Sequence, residues 1–292
     1  MNPLAPVQTE LLILLPAAVG IVTILVWRGC LRPGSLRPAP RRRTGLLPLD
    51  MFIGFGLMFL GPFIAVSAGI LPTHQGPGAE TRTVAQYGAT MLLSQALSQV
   101  PAALYVCWRA WASRPRGLVE LGIWPRHLTR DISWAAVALI AVVPLCMAVG
   151  VLTIAVGILL GSDRPPTLGH ETLVQMQVAL REHQAAPLAM LLVSAILLAP
   201  LLEELIFRGL VQSSLLALLE NQQRWPVVFL SATIFTLIHV GPGVQWQSLP
   251  SLAVLAIALG WLYERSGSLL PGVLVHMGFN IINTAMTMWM AG

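Results

Sequence analysis

Eight runs of apolar sequence decide what this chain can fold into. They lie at about 11–27, 51–71, 84–108, 132–160, 187–205, 226–240, 248–263 and 269–290. A helix needs about 20 residues, within a range of about 17–25, to cross the hydrocarbon core of a bilayer. Most of the runs reach that length; 226–240 and 248–263 are short for it. Apolar residues make up 56% of the 292 and charged residues 10%, against roughly 25% charged in ordinary soluble domains. With a mean hydropathy of +0.76, the chain holds more apolar surface than a soluble core can bury. The expected fold is all-α: a polytopic integral membrane protein with about eight transmembrane helices. About four lie in 1–186, between basic loops, and about four in 187–292.

The charges agree with a membrane topology. All 17 basic residues are arginine, a hint of coding bias and of a prokaryotic source. The net charge of +5 does not point to nucleic acid, because the arginines fall in short loops between apolar runs. Arg28, Arg32, Arg37, Arg41, Arg42 and Arg43 follow the first run, and Arg109, Arg114, Arg116, Arg126 and Arg130 sit between the third and fourth. By the positive-inside rule both loops are cytoplasmic and the N-terminus lies outside, in a prokaryotic inner membrane. The first run has no basic residue before it, unlike a signal peptide. The loop at 28–50, with Pro33, Pro38, Pro40 and Pro48, reads as extended and mobile. A short interfacial helix is expected around Thr172–Glu182. Cys30, Cys107 and Cys146 form no CxxC and no disulfide framework.

Ionisable groups inside a span cost about 2.5–3.5 kcal/mol each on insertion scales and usually face a bundle interior or a water-filled cavity. Here they are few. Glu203, Glu204 and Arg208 stand in "LLEELIFRGL", His239 closes "FTLIHVG", and His276 and Asn280 share "GVLVHMGFNIINT". Glu204 and Arg208 are i,i+4 with the acid first, the favourable order for a pair. Glu203 is turned by about 100° from its neighbour and faces elsewhere. His276 and Asn280 share a helix face, as do Phe235 and His239. Counted along the chain from the 220–225 turn, Glu203 and His239 fall at similar depth, so Glu203, His239, His276 and Asn280 are candidates for one polar cavity.

Each group also has a plainer reading. A paired Glu204 and Arg208 is the inexpensive way to bury charge and is structural. His239 alone is an interfacial histidine, and Asn280 alone is a helix–helix hydrogen bond. Taken as a set on separate spans, they suit hydrolysis. A glutamate and a histidine holding one water can remove its proton, while a second histidine and an amide can donate to the oxyanion of a tetrahedral intermediate. The same Glu203, His239 and His276 also form a three-ligand zinc set with an open position, although HExxH is absent. A proton-coupled transporter would use such groups as well, and a non-catalytic scaffold or regulator would keep them as a structural lock.

These residues carry a resemblance. Glu203-Glu204-Leu205-Ile206-Phe207-Arg208, Phe235-Thr236-Leu237-Ile238-His239 and His276-Met277-Gly278-Phe279-Asn280 stand as EExxxR, FxxxH and HxxxN, in order and on separate apolar segments. They resemble the motifs of the CAAX protease and bacteriocin-processing family, the type II CAAX prenyl endopeptidase relatives, over about 187–288. The resemblance implies that 187–292 is the catalytic core of an intramembrane protease acting on membrane-associated protein or peptide substrates. It implies Glu203 as general base, His239 as the group positioning the water, His276 and Asn280 as oxyanion donors, and Glu204 with Arg208 as support. Members have been described both as zinc proteases and as metal-independent glutamate proteases, and no cofactor is firmly implied; some act as scaffolds.

Overall fold

The computed structural model describes residues 4, 7–32, 34–36, 44–71, 83–125, 127–161, 171–219, 224–240 and 246–291. Among these every regular element is helical and no strand occurs. Helices occupy all eight apolar runs, and five are long and apolar enough to cross a membrane: Gln8–Trp27, Pro48–Ser67, Leu128–Leu159, Ala185–Leu218 and Trp246–Ser266. Five is therefore the count shown, against the eight expected. The remainder fall short for reasons visible in their residues. Arg224–Ile238 has 15 residues, Val84–Ser113 carries several glutamines and Arg109, and Leu270–Ala291 carries His276, Asn280 and Asn283.

Prolines inside four of the helices, Pro16, Pro62, Pro101 and Pro144, are of the kind membrane helices tolerate, because neighbouring groups satisfy the freed carbonyls. Ends are set locally. Thr83 accepts from the Gln86 backbone while the Gln86 side chain returns to the Thr83 N–H, a reciprocal cap for Val84–Ser113. Gly267, at φ 69°, closes Leu249–Ser266 in the left-handed conformation that glycine adopts without penalty. The helix expected near Thr172–Glu182 is present as Glu171–Arg181.

The chain forms two compact units that interleave along the sequence. The first comprises Met1–Arg41, Pro125–Glu171 and Gln223–Phe279. In it Leu128–Leu159 packs on Gln8–Trp27 and on Leu249–Ser266, which also packs on Arg224–Ile238. Its core is Ala135, Val142, Cys146, Leu255, Leu259, Leu262 and Val275. Arg224 and Glu264 form a buried ion pair at 2.7 Å. The expected mobile loop is partly docked here: Trp225 Nε1 donates to the Arg32 carbonyl at 3.2 Å, and Leu36 is buried. Residues 37–43 of that loop lie outside the described residues.

The second unit comprises Arg42–Trp124, Thr172–Gln222 and Asn280–Gly292. Pro48–Ser67 and Val84–Ser113 lie so close that a Cβ on Gly61 would strike the Leu97 carbonyl, the small-residue contact that membrane helices use for want of a hydrophobic drive between them. Gly54 admits the side chain of Leu210 in the same way. Asp50 ties the two helices by polar contacts: it accepts from Arg109 Nε at 2.7 Å, from the Tyr105 hydroxyl at 2.5 Å and from the Leu47 backbone at 2.7 Å.

Candidate active site

In the second unit, the helical run Ala185–Leu218 continues well past the expected end at 205. The sequence reading stopped there because charge appears at Glu203, yet Glu204, Arg208 and Gln212 recur every four residues and form a stripe that is almost wholly buried. Burial is thus what keeps the helix going beyond its apolar half. Glu204 is 0% exposed and Arg208 1%, with Arg208 Nη1 3.0 Å from Glu204 Oε1, which is the pairing expected from their spacing. Glu203, on the next face, is only half-buried.

The run is not a uniform α-helix. Two stretches, Val193–Leu198 and Leu205–Gln212, wind as π-helix, with backbone bonds from i to i+5 in place of i+4. They bracket the α-helical turn Ala199–Glu204 that bears both acids. A widened turn releases carbonyls from the helix ladder, and side chains take them up. Ser213 Oγ donates to the Arg208 carbonyl at 3.2 Å. Asn280 Nδ2 donates to the Ala195 carbonyl at 2.7 Å.

The first unit holds both histidines. His239 follows directly on the helix Arg224–Ile238, its N–H bonded to the Thr236 carbonyl. Its ring lies 4.6 Å from that of Phe235, so the shared face read from the spacing is present. His276 is buried on Leu270–Ala291 and meets the same phenyl ring edge-on at 6.1 Å. Phe235, 0% exposed, is thus the ring that both imidazoles approach. His239 Nδ1 is 2.7 Å from the Phe235 carbonyl. A carbonyl only accepts, so Nδ1 carries the hydrogen and Nε2 of the neutral ring presents a lone pair. Asn280 sits four residues after His276 on the same helix.

Three buried acids escaped the sequence reading: Asp50, Asp131 and Glu264. They stand at span ends, one residue outside the expected runs at 51–71, 132–160 and 248–263. Their signal was an acid flanking an apolar run. Gln95 and Ser194, joined at 2.8 Å, were missed because neither is ionisable.

These features define a class, a helical membrane protein with a locked acid–arginine pair beside a second glutamate and with two imidazoles set on one aromatic ring. Residues 185–282 match the family model of type II CAAX prenyl endopeptidases, described as Rce1-like. The match covers about a third of the chain and takes in Glu203, Glu204, Arg208, His239, His276 and Asn280. At family level the match supports an intramembrane endopeptidase of the CAAX-protease type. Comparison with curated proteins and with solved structures gives no match.

Proposed function

We propose that the chain is an intramembrane endopeptidase that hydrolyses peptide bonds of membrane-associated proteins or peptides with an activated water. The observation that carries this reading is the unequal burial of two adjacent acids in the family-matched segment. Glu204 is fully buried and locked to Arg208, whereas Glu203 lies on the next face and is half-buried. We assign Glu203 as the base. It takes one proton of the water while His239 Nε2 accepts the other hydrogen bond, which orients the oxygen lone pair toward the scissile carbonyl. His276 and Asn280 donate to the oxyanion. An amide nitrogen has two hydrogens; Asn280 uses one on Ala195, and the second serves here. Protonated Glu203 then delivers its proton to the leaving amine as the tetrahedral intermediate collapses. Glu204 and Arg208 hold the turn. We place the protein in a prokaryotic inner membrane with its N-terminus outside.

A zinc-dependent form of the same reaction uses the same side chains. Glu203, His239 and His276 would hold the ion, which would supply Lewis acidity to the water. An Nδ1–H bonded to a carbonyl is also the usual state of a metal-binding imidazole, so His239 suits either form. Within each unit, among the described residues, no three His, Cys, Asp or Glu side chains gather closely enough to hold a metal. The amide of Asn280 serves an oxyanion better than a metal shell, and we favour the metal-free form.

The test is cleavage of a peptide library, with a farnesylated C-terminal CAAX peptide included, by purified protein in proteoliposomes. Cut products that vanish with Glu203→Gln support the proposal. Solute flux without cleavage would show a transporter. Recovery of an intact, stably bound protein with no cutting would show a scaffold.

A further inference from the structure

The π-helical turn at Val193–Leu198 sets the direction of both acids. Its origin is readable in the chain. Pro200 has no N–H to give the Ile196 carbonyl, and in a regular α-helix its ring would press on that carbonyl. The helix widens just before it. The Ala199 N–H bonds to the Ser194 carbonyl, five residues back, and the Ala195 carbonyl that it would have taken in an α-helix receives Asn280 Nδ2 instead. The same turn is held from another helix. Ser194, 0% exposed, donates its hydroxyl to Gln95 Oε1 at 2.8 Å, and Gln95 Nε2 is engaged by Gln99 Oε1 at 3.2 Å.

We propose that Gln95, Ser194 and Asn280 are positioning residues that pin this widened turn and so determine which of two neighbouring acids faces Arg208 and which faces the reaction. The proposal rests on the reading of Glu203 as the base. One extra residue in a turn sets back everything after it by one residue's rotation, about 100°. Adjacent residues differ by that same angle. If the turn relaxed to α-helix, Leu202 would point where Glu203 points now, and Glu203 would take the direction of Glu204. A single pinned turn thus separates an acid presented for catalysis from a leucine in its place.

The experiment reads the rotation directly. In a background with Cys30, Cys107 and Cys146 replaced by alanine, nitroxide labels are attached to Leu201→Cys or Leu202→Cys and the protein is reconstituted in phosphatidylcholine vesicles. Oxygen accessibility is then compared. Leu201 is 50% exposed and Leu202 half-buried, so the label at 201 starts well above that at 202. Adding Ser194→Ala with Asn280→Ala should bring the ratio toward one, because each position takes its successor's direction. An unchanged ratio in the folded protein overturns the proposal. If the double variant does not fold, Ser194→Ala and Asn280→Ser, each removing one tie, decide in the same way. Cleavage of the library peptide that wild type cuts best is measured in parallel. Ser194 touches no reacting group, so Ser194→Ala should lower kcat with KM unchanged, by up to about 100-fold, as ångström-scale misplacement does. A shifted ratio in a protein whose wild type cleaves nothing refutes the hydrolase reading alone; an unshifted ratio in an active enzyme refutes the pinned turn alone.

Discussion

Arg208→Met is the perturbation whose outcome the structure fixes most firmly. Arg208 and Glu204 are 1% and 0% exposed and 3.0 Å apart. At an effective dielectric of about 20 their attraction is about 332/(20 × 3.0), or about 5.5 kcal/mol. Desolvating the two ions costs several kcal/mol each, so the intact pair contributes little net stability. Removing one partner is a different matter. Methionine keeps most of the volume, and the surviving buried carboxylate of Glu204 loses its counter-charge, a loss of about 3–5 kcal/mol.

Unfolding in detergent, followed by near-ultraviolet circular dichroism against added denaturing surfactant, measures this. Arg208→Met should unfold at markedly lower surfactant, and Glu204→Leu combined with Arg208→Met should recover most of the loss, since an apolar pair of similar volume replaces a buried ion pair at little cost. The recovered protein should remain impaired in cleavage, because the turn bearing Glu203 has lost its polar anchor. Wild-type stability in Arg208→Met alone, or no recovery in the double variant, would refute the assignment of this pair as the lock.

Glu203→Gln should stay folded and lose cleavage, since the amide fills the same space and cannot take a proton; wild-type turnover in that variant removes Glu203 as base. Purified protein should contain no stoichiometric metal by elemental analysis and keep its activity in strong chelators, and one tightly held zinc per chain would reverse the choice between the two forms of the reaction. Asp50→Ala should cost about 1.5–3 kcal/mol of stability, the range for a buried hydrogen bond to a charged group, with Arg109→Leu non-additive with it; additive losses would show that the two do not act together. Single cysteines at Ser35 and Ser113 should label with an impermeant maleimide only in permeabilised cells, while one at position 162, which lies outside the described residues, should label from outside. The reverse pattern overturns the topology.

Much of this was legible in the sequence, for identifiable reasons. Spacing alone placed Glu204 with Arg208 and Phe235 with His239, because residues four apart lie on one side of a single helical turn. The apolar runs located the helices, because backbone groups in lipid have to be satisfied within the segment. Relations that cross between helices were not legible. Nothing in the spacing of Phe235 announced that His276, some forty residues on, would meet its ring at 6.1 Å, or that Tyr105 and Arg109 would converge on Asp50. Span edges failed because an apolar run ends where hydropathy changes, whereas a buried acid with its cation extends the interior past that point, as Glu264 does with Arg224.

The widened turns show where the limit lies. A phase read at one angle per residue assumes that every residue turns the helix equally. Pro200 breaks that assumption three residues before Glu203, and the chain absorbs the break by inserting a residue into the turn ahead of it. The local pair of Glu204 and Arg208 survives, because both of its members lie after the first insertion and rotate together. The relation of those acids to everything upstream on the same helix does not follow from one angle per residue and is offset by about one residue's rotation. A proline shortly before a charged pair in an otherwise apolar helix is therefore a signal that can be read in advance. It locates the point at which the direction of a functional side chain ceases to follow from spacing and comes to depend on the groups, here Ser194 and Asn280, that close the opened turn.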